Sequence, residues 1–90
     1  MSQEKIVANK IAIIMICDSE WHTVNSLKAF CDVQMVDELI RDELLVEDDK
    51  PLQSGEKTLL VTRPARKMVA NASVEEIALA MSYVDTPGNI

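Results

Sequence analysis

The chain is poor in the residues that punctuate or cross-link small proteins, with two glycines, three prolines and two cysteines in 90 positions. Two cysteines, Cys17 and Cys31, cannot build the framework of bridges that staples small secreted domains. Both fall on apolar faces of predicted helices, where a free thiol packs as a small hydrophobe. With the single histidine, His22, they make too few ligands at too loose a spacing for a closed zinc site. No metal and no cofactor is expected. The only glycines are Gly55 and Gly88, so no glycine-rich loop exists to cradle a phosphate. Ser26, Ser54 and Ser73 all have capping or loop explanations, and His22 has no nucleophile or carboxylate at motif spacing. An enzyme is not expected.

Long apolar runs are also missing. The longest, Ile11 to Cys17, is seven residues, far short of the roughly 20 that cross a bilayer. The opening MSQEKIVANK lacks an apolar h-region and a small-residue cleavage site, so no signal peptide is expected and the protein is placed in the cytoplasm. Basic residues are outnumbered, nine against fifteen acidic, for a net charge of −6. Proteins that capture nucleic acid through its phosphates usually carry the opposite sign.

What is present suffices for one folded domain. The chain is 48% hydrophobic, which argues against disorder and fits a small single core. Val7, Ile11 and Ile14 recur at helical spacing, with Ile6 and Ile13 on the same side, so residues 4–17 read as a first helix. Its second half should be buried all round. A strand over Ile11–Cys17 is the competing reading, because isoleucine is frequent there. Trp21-His22-Thr23 should be extended, with Trp21 anchored over the edge of the core.

Thr23 then caps a helix whose apolar face is Leu27, Phe30 and Cys31. Asp32 caps the next, where Met35, Val36, Leu39 and Ile40 repeat at helical spacing. Leu44-Leu45-Val46 leaves it as a strand, and Thr58–Val61 returns. Between them EDDKPLQSGEK, residues 47–57, is polar and broken by Pro51 and Gly55, as a mobile hairpin loop should be. Thr62 and Pro64 suit a helix start, with Ala65, Met68, Val69 and Ala72 facing inward. Ser73-Val74-Glu75-Glu76 is a capping-box pattern that predicts a break after Ala72 and a last helix to about Tyr83. Residues 1–84 form the domain, and 85–90 a flexible tail.

The order of helix, short strand, two helices, hairpin and helix resembles the winged helix-turn-helix superfamily over residues 4–70. The likeness is carried by HTVNSLKAF, by DELIRDELLVED and by TLLVTRPARKMV. It implies a mainly α fold with a small β-hairpin (α+β), a winged helix-turn-helix followed by C-terminal helices. GEKTLLVTRPARKMVANAS and the apolar first helix also resemble, more loosely, the N-terminal domains of the middle-promoter transcription activators of T-even phages. Those domains contact a polymerase sigma factor instead of bases. No second, DNA-binding domain follows within these 90 residues.

Charge then divides the functional readings. Asp32 to Asp49 holds eight carboxylates against one basic residue, Arg41. Helices that read bases present arginine, lysine, asparagine or glutamine, and only Gln34 and Arg41 qualify here. A partner-binding acidic face of Asp37, Glu38, Arg41 and Asp42 is therefore expected, beside the plainer reading of a solvated helix surface. Lys57, Arg63, Arg66 and Lys67 form a basic run that suits phosphates or an acidic protein. The expected function is a non-enzymatic adaptor acting by protein contact on a bacterial or phage transcription or defence complex, as an inhibitor or DNA mimic. The alternative is a dimeric DNA-binding regulator that uses the wing and the Lys57–Lys67 run. A homodimer paired through the first and last helices is a further expectation.

Overall fold

A computed structural model of the chain describes residues 3–85. It is mainly helical with one small antiparallel sheet, an α+β arrangement. The elements are α1 (Gln3–Ser19), α2 (Val24–Leu27), α3 (Val33–Arg41), β1 (Leu45–Glu47), β2 (Leu59–Val61), α4 (Arg63–Ala70) and α5 (Val74–Asp85).

The isoleucine-rich stretch is helix, not strand. Ile11, Ile13, Ile14 and Ile16 are all buried, although they point to different sides of α1. A strand surrounded in this way would need backbone partners on both edges, whereas a helix satisfies its own peptide groups and can be enclosed by side chains. The core divides along this helix. Its first half, with Ala8, Ile11 and Ala12, packs on Ala80 and Tyr83 of α5. Its second half, with Ile13, Ile14, Ile16 and Cys17, packs on Leu27, Val36, Leu39, Leu45, Leu59 and Ala65.

Local hydrogen bonds set most helix boundaries. Thr23 and Ser26 form a reciprocal box: Ser26 N–H donates to Thr23 Oγ1 at 3.1 Å, and Thr23 N–H donates to Ser26 Oγ at 2.8 Å. The helix they start is only four residues long. Phe30 and Cys31 follow in turns that donate to the Leu27 carbonyl, and both still pack against the core. Asp32 accepts from Gln34 N–H at 3.0 Å and opens α3. Thr62 accepts from Ala65 N–H at 3.3 Å and opens α4. The predicted break after Ala72 is present, with Glu76 N–H donating to Ser73 Oγ at 3.1 Å and Ser73 N–H to Glu76 Oε1 at 2.9 Å. Helix α5 continues to Asp85, so Asp85 is not part of the tail. The rest of that predicted tail, 86–90, lies outside the described residues.

The end of α3 differs from expectation. Leu44 N–H donates to Leu39 O at 2.9 Å and Glu43 N–H to Ile40 O at 3.1 Å, the paired bonds of a Schellman turn. Glycine normally holds the left-handed position of such a turn, but here it is Glu43, with φ 61°. Leu44 is consumed by the turn, which pushes the strand one residue on, to Leu45–Glu47. Thr62 Oγ1 donates to the Glu43 carbonyl at 2.7 Å and ties the turn to the start of α4.

Strands β1 and β2 pair as Leu45 with Val61, Val46 with Leu60 and Glu47 with Leu59. The loop between them holds bonds of its own: Leu52 N–H to Glu56 O at 2.7 Å, and Gly55 N–H to Leu52 O at 2.9 Å. Gly55 has φ 88°, a conformation open to glycine at little cost.

The extended segment at 21–23 adds to the other side of β2 through a Thr23–Thr58 bridge, with Leu59 N–H donating to His22 O at 2.8 Å. This register reverses one expectation. Side chains alternate across a sheet, so Trp21 and His22 point to opposite faces. His22 takes the buried side, and Trp21 is 66% exposed instead of anchored over the core edge.

Candidate functional site

Helix α3 turns Val36 and Leu39 into the core and leaves Gln34, Asp37 and Arg41 exposed. Residues 34, 37, 38 and 41 follow the three- and four-residue spacing of one helix face. Glu38, half-buried, lies on the same face, and Asp42 follows as the exposed C-cap. The four residues expected to make an acidic partner-binding surface are thus brought together at one end of α3. Glu43 extends the set.

Two of these carboxylates, Asp42 and Glu43, sit where they cost stability. A helix C-terminus carries the negative end of the macrodipole, which favours cations. Arg41 in the last turn answers that preference, but Asp42 and Glu43 oppose it. Among the described residues neither has an ion-pair partner, because the only salt bridge joins Arg66 to Asp18 at 3.4 Å between exposed groups. Glu43 also holds a backbone conformation that side chains disfavour by about 1–2 kcal/mol.

The basic run does not form one patch. Lys57 borders an open cleft of about 350 Å³ with Asn25, Lys28, Glu47 and Glu56. Arg63, Arg66 and Lys67 lie exposed along α4. The extended β2 separates the two groups, at about 3.3 Å per residue. Arg66 is further engaged by Asp18.

His22 is buried edge-on to Phe30, with ring centroids 5.3 Å apart. Its Nδ1 lies 3.1 Å from Ser26 Oγ. Its Nε2 is buried and has no partner among the described residues. Cys17 and Cys31 are free thiols. Burial, reinforced by the neighbouring Cys31, pushes Cys17 up to about 12. Burial, reinforced by Asp32, pushes Cys31 up to about 11. Both therefore stay protonated at neutral pH, and a thiol is a poor nucleophile in that form. No group of three or more metal-ligating side chains is placed to hold an ion among the described residues. No helix among them is long and apolar enough to cross a membrane.

Sequence reasoning missed the solvent face of the sheet. Val46 and Leu60 are a cross-strand pair, each 47% exposed, and Trp21 stands exposed on the neighbouring segment. The individual residues are visible in the sequence. Their alignment depends on a bridge between distant parts of the chain, which no local pattern reveals. Val74 and Met81 are likewise exposed on α5. No protein-family model matches the chain, and no curated protein or solved structure does.

Proposed function

We propose that this protein is a non-enzymatic adaptor of winged-helix type that works by protein–protein contact through the acidic end of α3. The observation that carries the reading is the placement of Asp37, Glu38, Asp42 and Glu43 on and beside one helix face, with Asp42 and Glu43 at a helix C-terminus that disfavours acids and none of the four in an ion pair among the described residues. In winged-helix DNA readers the helix in this position enters the major groove. Here its outward face would set carboxylates against phosphates. The same arrangement suits a basic protein surface, either directly or by imitation of a nucleic acid. The loose sequence resemblance to phage activator domains is the support for a partner in a bacterial or phage transcription or defence complex.

The second reading, a dimeric DNA-binding regulator, draws on the order of elements and on exposed Arg63 and Lys67. It is weakened by the separation of Lys57 from the α4 cations. Fluorescence anisotropy with mixed-sequence duplex DNA, at low and at moderate salt, tests the choice. The adaptor reading expects no binding even at low salt. It also expects Asp37→Lys with Asp42→Lys to create salt-sensitive DNA binding by removing the repulsion. Tight, salt-dependent binding by the unaltered chain overturns the adaptor reading.

A further inference from the structure

The segment 21–23, β2 and β1 lie side by side in that order. The antiparallel register of the Thr23–Thr58 bridge sets His22 opposite Leu59 and Trp21 opposite Leu60. The hairpin register then sets Leu60 opposite Val46. Directly opposed residues on one face have Cβ atoms about 5 Å apart. Trp21, Leu60 and Val46 therefore form an apolar row across the solvent side of the sheet, and all three are exposed.

The row ends at an open edge. Thr62 N–H donates to Leu44 O at 3.3 Å and Asp48 N–H donates to Thr58 O at 2.8 Å, so the peptide groups of residues 44, 46 and 48 face β2. Backbone groups alternate between the two sides of a strand. The N–H and C=O groups of Leu45 and Glu47 consequently point away from β2, and no backbone partner meets them among the described residues. Beside this edge runs a groove of about 530 Å³ in which Ile40, Leu45, Val46 and Pro64 are apolar and Glu43 and Glu47 are the only charged residues.

We propose that the free edge of β1 accepts an extended segment of a partner polypeptide as an added strand. Its apolar side chains lie on Val46 and in the groove, and its lysines or arginines face Glu43 and Glu47. Strand addition draws affinity from main-chain hydrogen bonds and selectivity from alternate side chains, and this edge offers both. Short, charged edges also serve to prevent unwanted pairing. That purpose accounts for the length of β1 and for Glu47, but leaves the exposed row of Trp21, Leu60 and Val46 without a role. Charge selects the occupant. A second copy would offer the same acidic edge, since residues 42–49 hold Asp42, Glu43, Glu47, Asp48 and Asp49 and no lysine or arginine, whereas a basic segment supplies the opposite charge. The inference rests on the protein-contact reading; the groove adjoins the acidic end of α3 and shares Glu43 with it, while Leu45, Val46 and Glu47 belong to the edge alone.

The test is a selection on the full chain from a phage-displayed library of random peptides about nine residues long, enough to exceed an ordinary strand. A selected peptide is then titrated in solution, with amide exchange followed residue by residue. The expected ligands alternate apolar residues with lysine or arginine. Methylating alternate backbone nitrogens of the peptide, or introducing Glu43→Lys with Glu47→Lys, should weaken binding about ten-fold or more through lost hydrogen bonds and charge pairing. Exchange at the Leu45 and Glu47 amides should slow on binding. Asp37→Lys, on the outer face of α3 and outside the groove, should leave peptide affinity within about two-fold. Failure to select any peptide overturns the strand-addition site. So do peptides indifferent to backbone methylation, or a footprint confined to Asp37 and Glu38. The last outcome would leave the adaptor reading standing, while DNA binding in the anisotropy experiment would remove that reading independently.

Discussion

The inner and outer faces of the small sheet are built from similar residues. Leu45 and Leu59 look inward, whereas Val46 and Leu60, their immediate neighbours, look outward. The inner pair joins α1, α3 and α4 in a closed core. The outer pair continues through Trp21 into solvent. In an antiparallel sheet covered on one side, the outer positions are usually polar. The contrast shows that apolar character alone did not choose the buried face. In the 21–23 segment, which joins the sheet through the bridge at Thr23, a histidine is buried and a tryptophan is exposed.

Truncating the two leucines separately should give the largest difference between the faces. Leu59→Ala removes a side chain that is almost wholly buried and should cost about 2–5 kcal/mol. Leu60→Ala should fall within about 0.5 kcal/mol of the parent, as solvent-face changes usually do. Urea unfolding of both variants decides the matter. Equal losses would mean that the outer face is covered in solution.

The buried histidine comes next. Ser26 Oγ serves both His22 Nδ1 and Thr23 N–H, and Ser26→Ala would strand these groups in a buried setting. A loss of about 1–3 kcal/mol is expected from unsatisfied polar groups. If stability is unchanged, the Thr23–Ser26 box does not hold the inward register of His22.

A smaller change, of opposite sign, is expected where the acidic surface meets the sheet. Glu43→Gly relieves the left-handed residue, and the gain is partly offset by the backbone freedom of glycine. The net stabilisation should be about 0.5–1 kcal/mol in the same unfolding assay. A neutral or destabilising result would show that the Glu43 side chain contributes packing or electrostatic support that offsets its strain.

The last prediction leaves stability at neutral pH untouched and asks how dry the inner side is. Cys17 belongs to the same core as Leu59, and its thiol is raised from 9.0 to about 12. A neutral buried thiol contributes stability that is complete below the unfolded value. That contribution is lost as pH climbs from 9.0 toward about 12, because the unfolded chain ionises first. At pH values below this window iodoacetamide should label Cys17 slowly in the folded protein and quickly in urea. Fast labelling without urea would show that the core behind the sheet opens readily.

Much of this arrangement was legible beforehand. Thr23, Asp32, Thr62 and Ser73 each cap a helix at the expected place, because a cap is a bond between residues two or three apart. The acidic surface was legible for the same reason, since helical spacing alone gathers Asp37, Glu38 and Arg41. The end of α3 was not: a glutamate at a left-handed position carries no local signal, and its turn is held partly by Thr62 from beyond the hairpin. The basic run looked continuous in the chain and was divided by an extended strand between Lys57 and Arg63.

Local pattern suffices to set where the helices and the hairpin form and which helix face is acidic, because propensity, periodicity and capping act within a few residues. Long-range pairing is what buries His22 and exposes Trp21, aligns Val46, Leu60 and Trp21, and leaves the β1 edge open among the described residues. Each of those facts depends on a pairing register between segments far apart in the chain, and shifting a register by one residue exchanges its two faces.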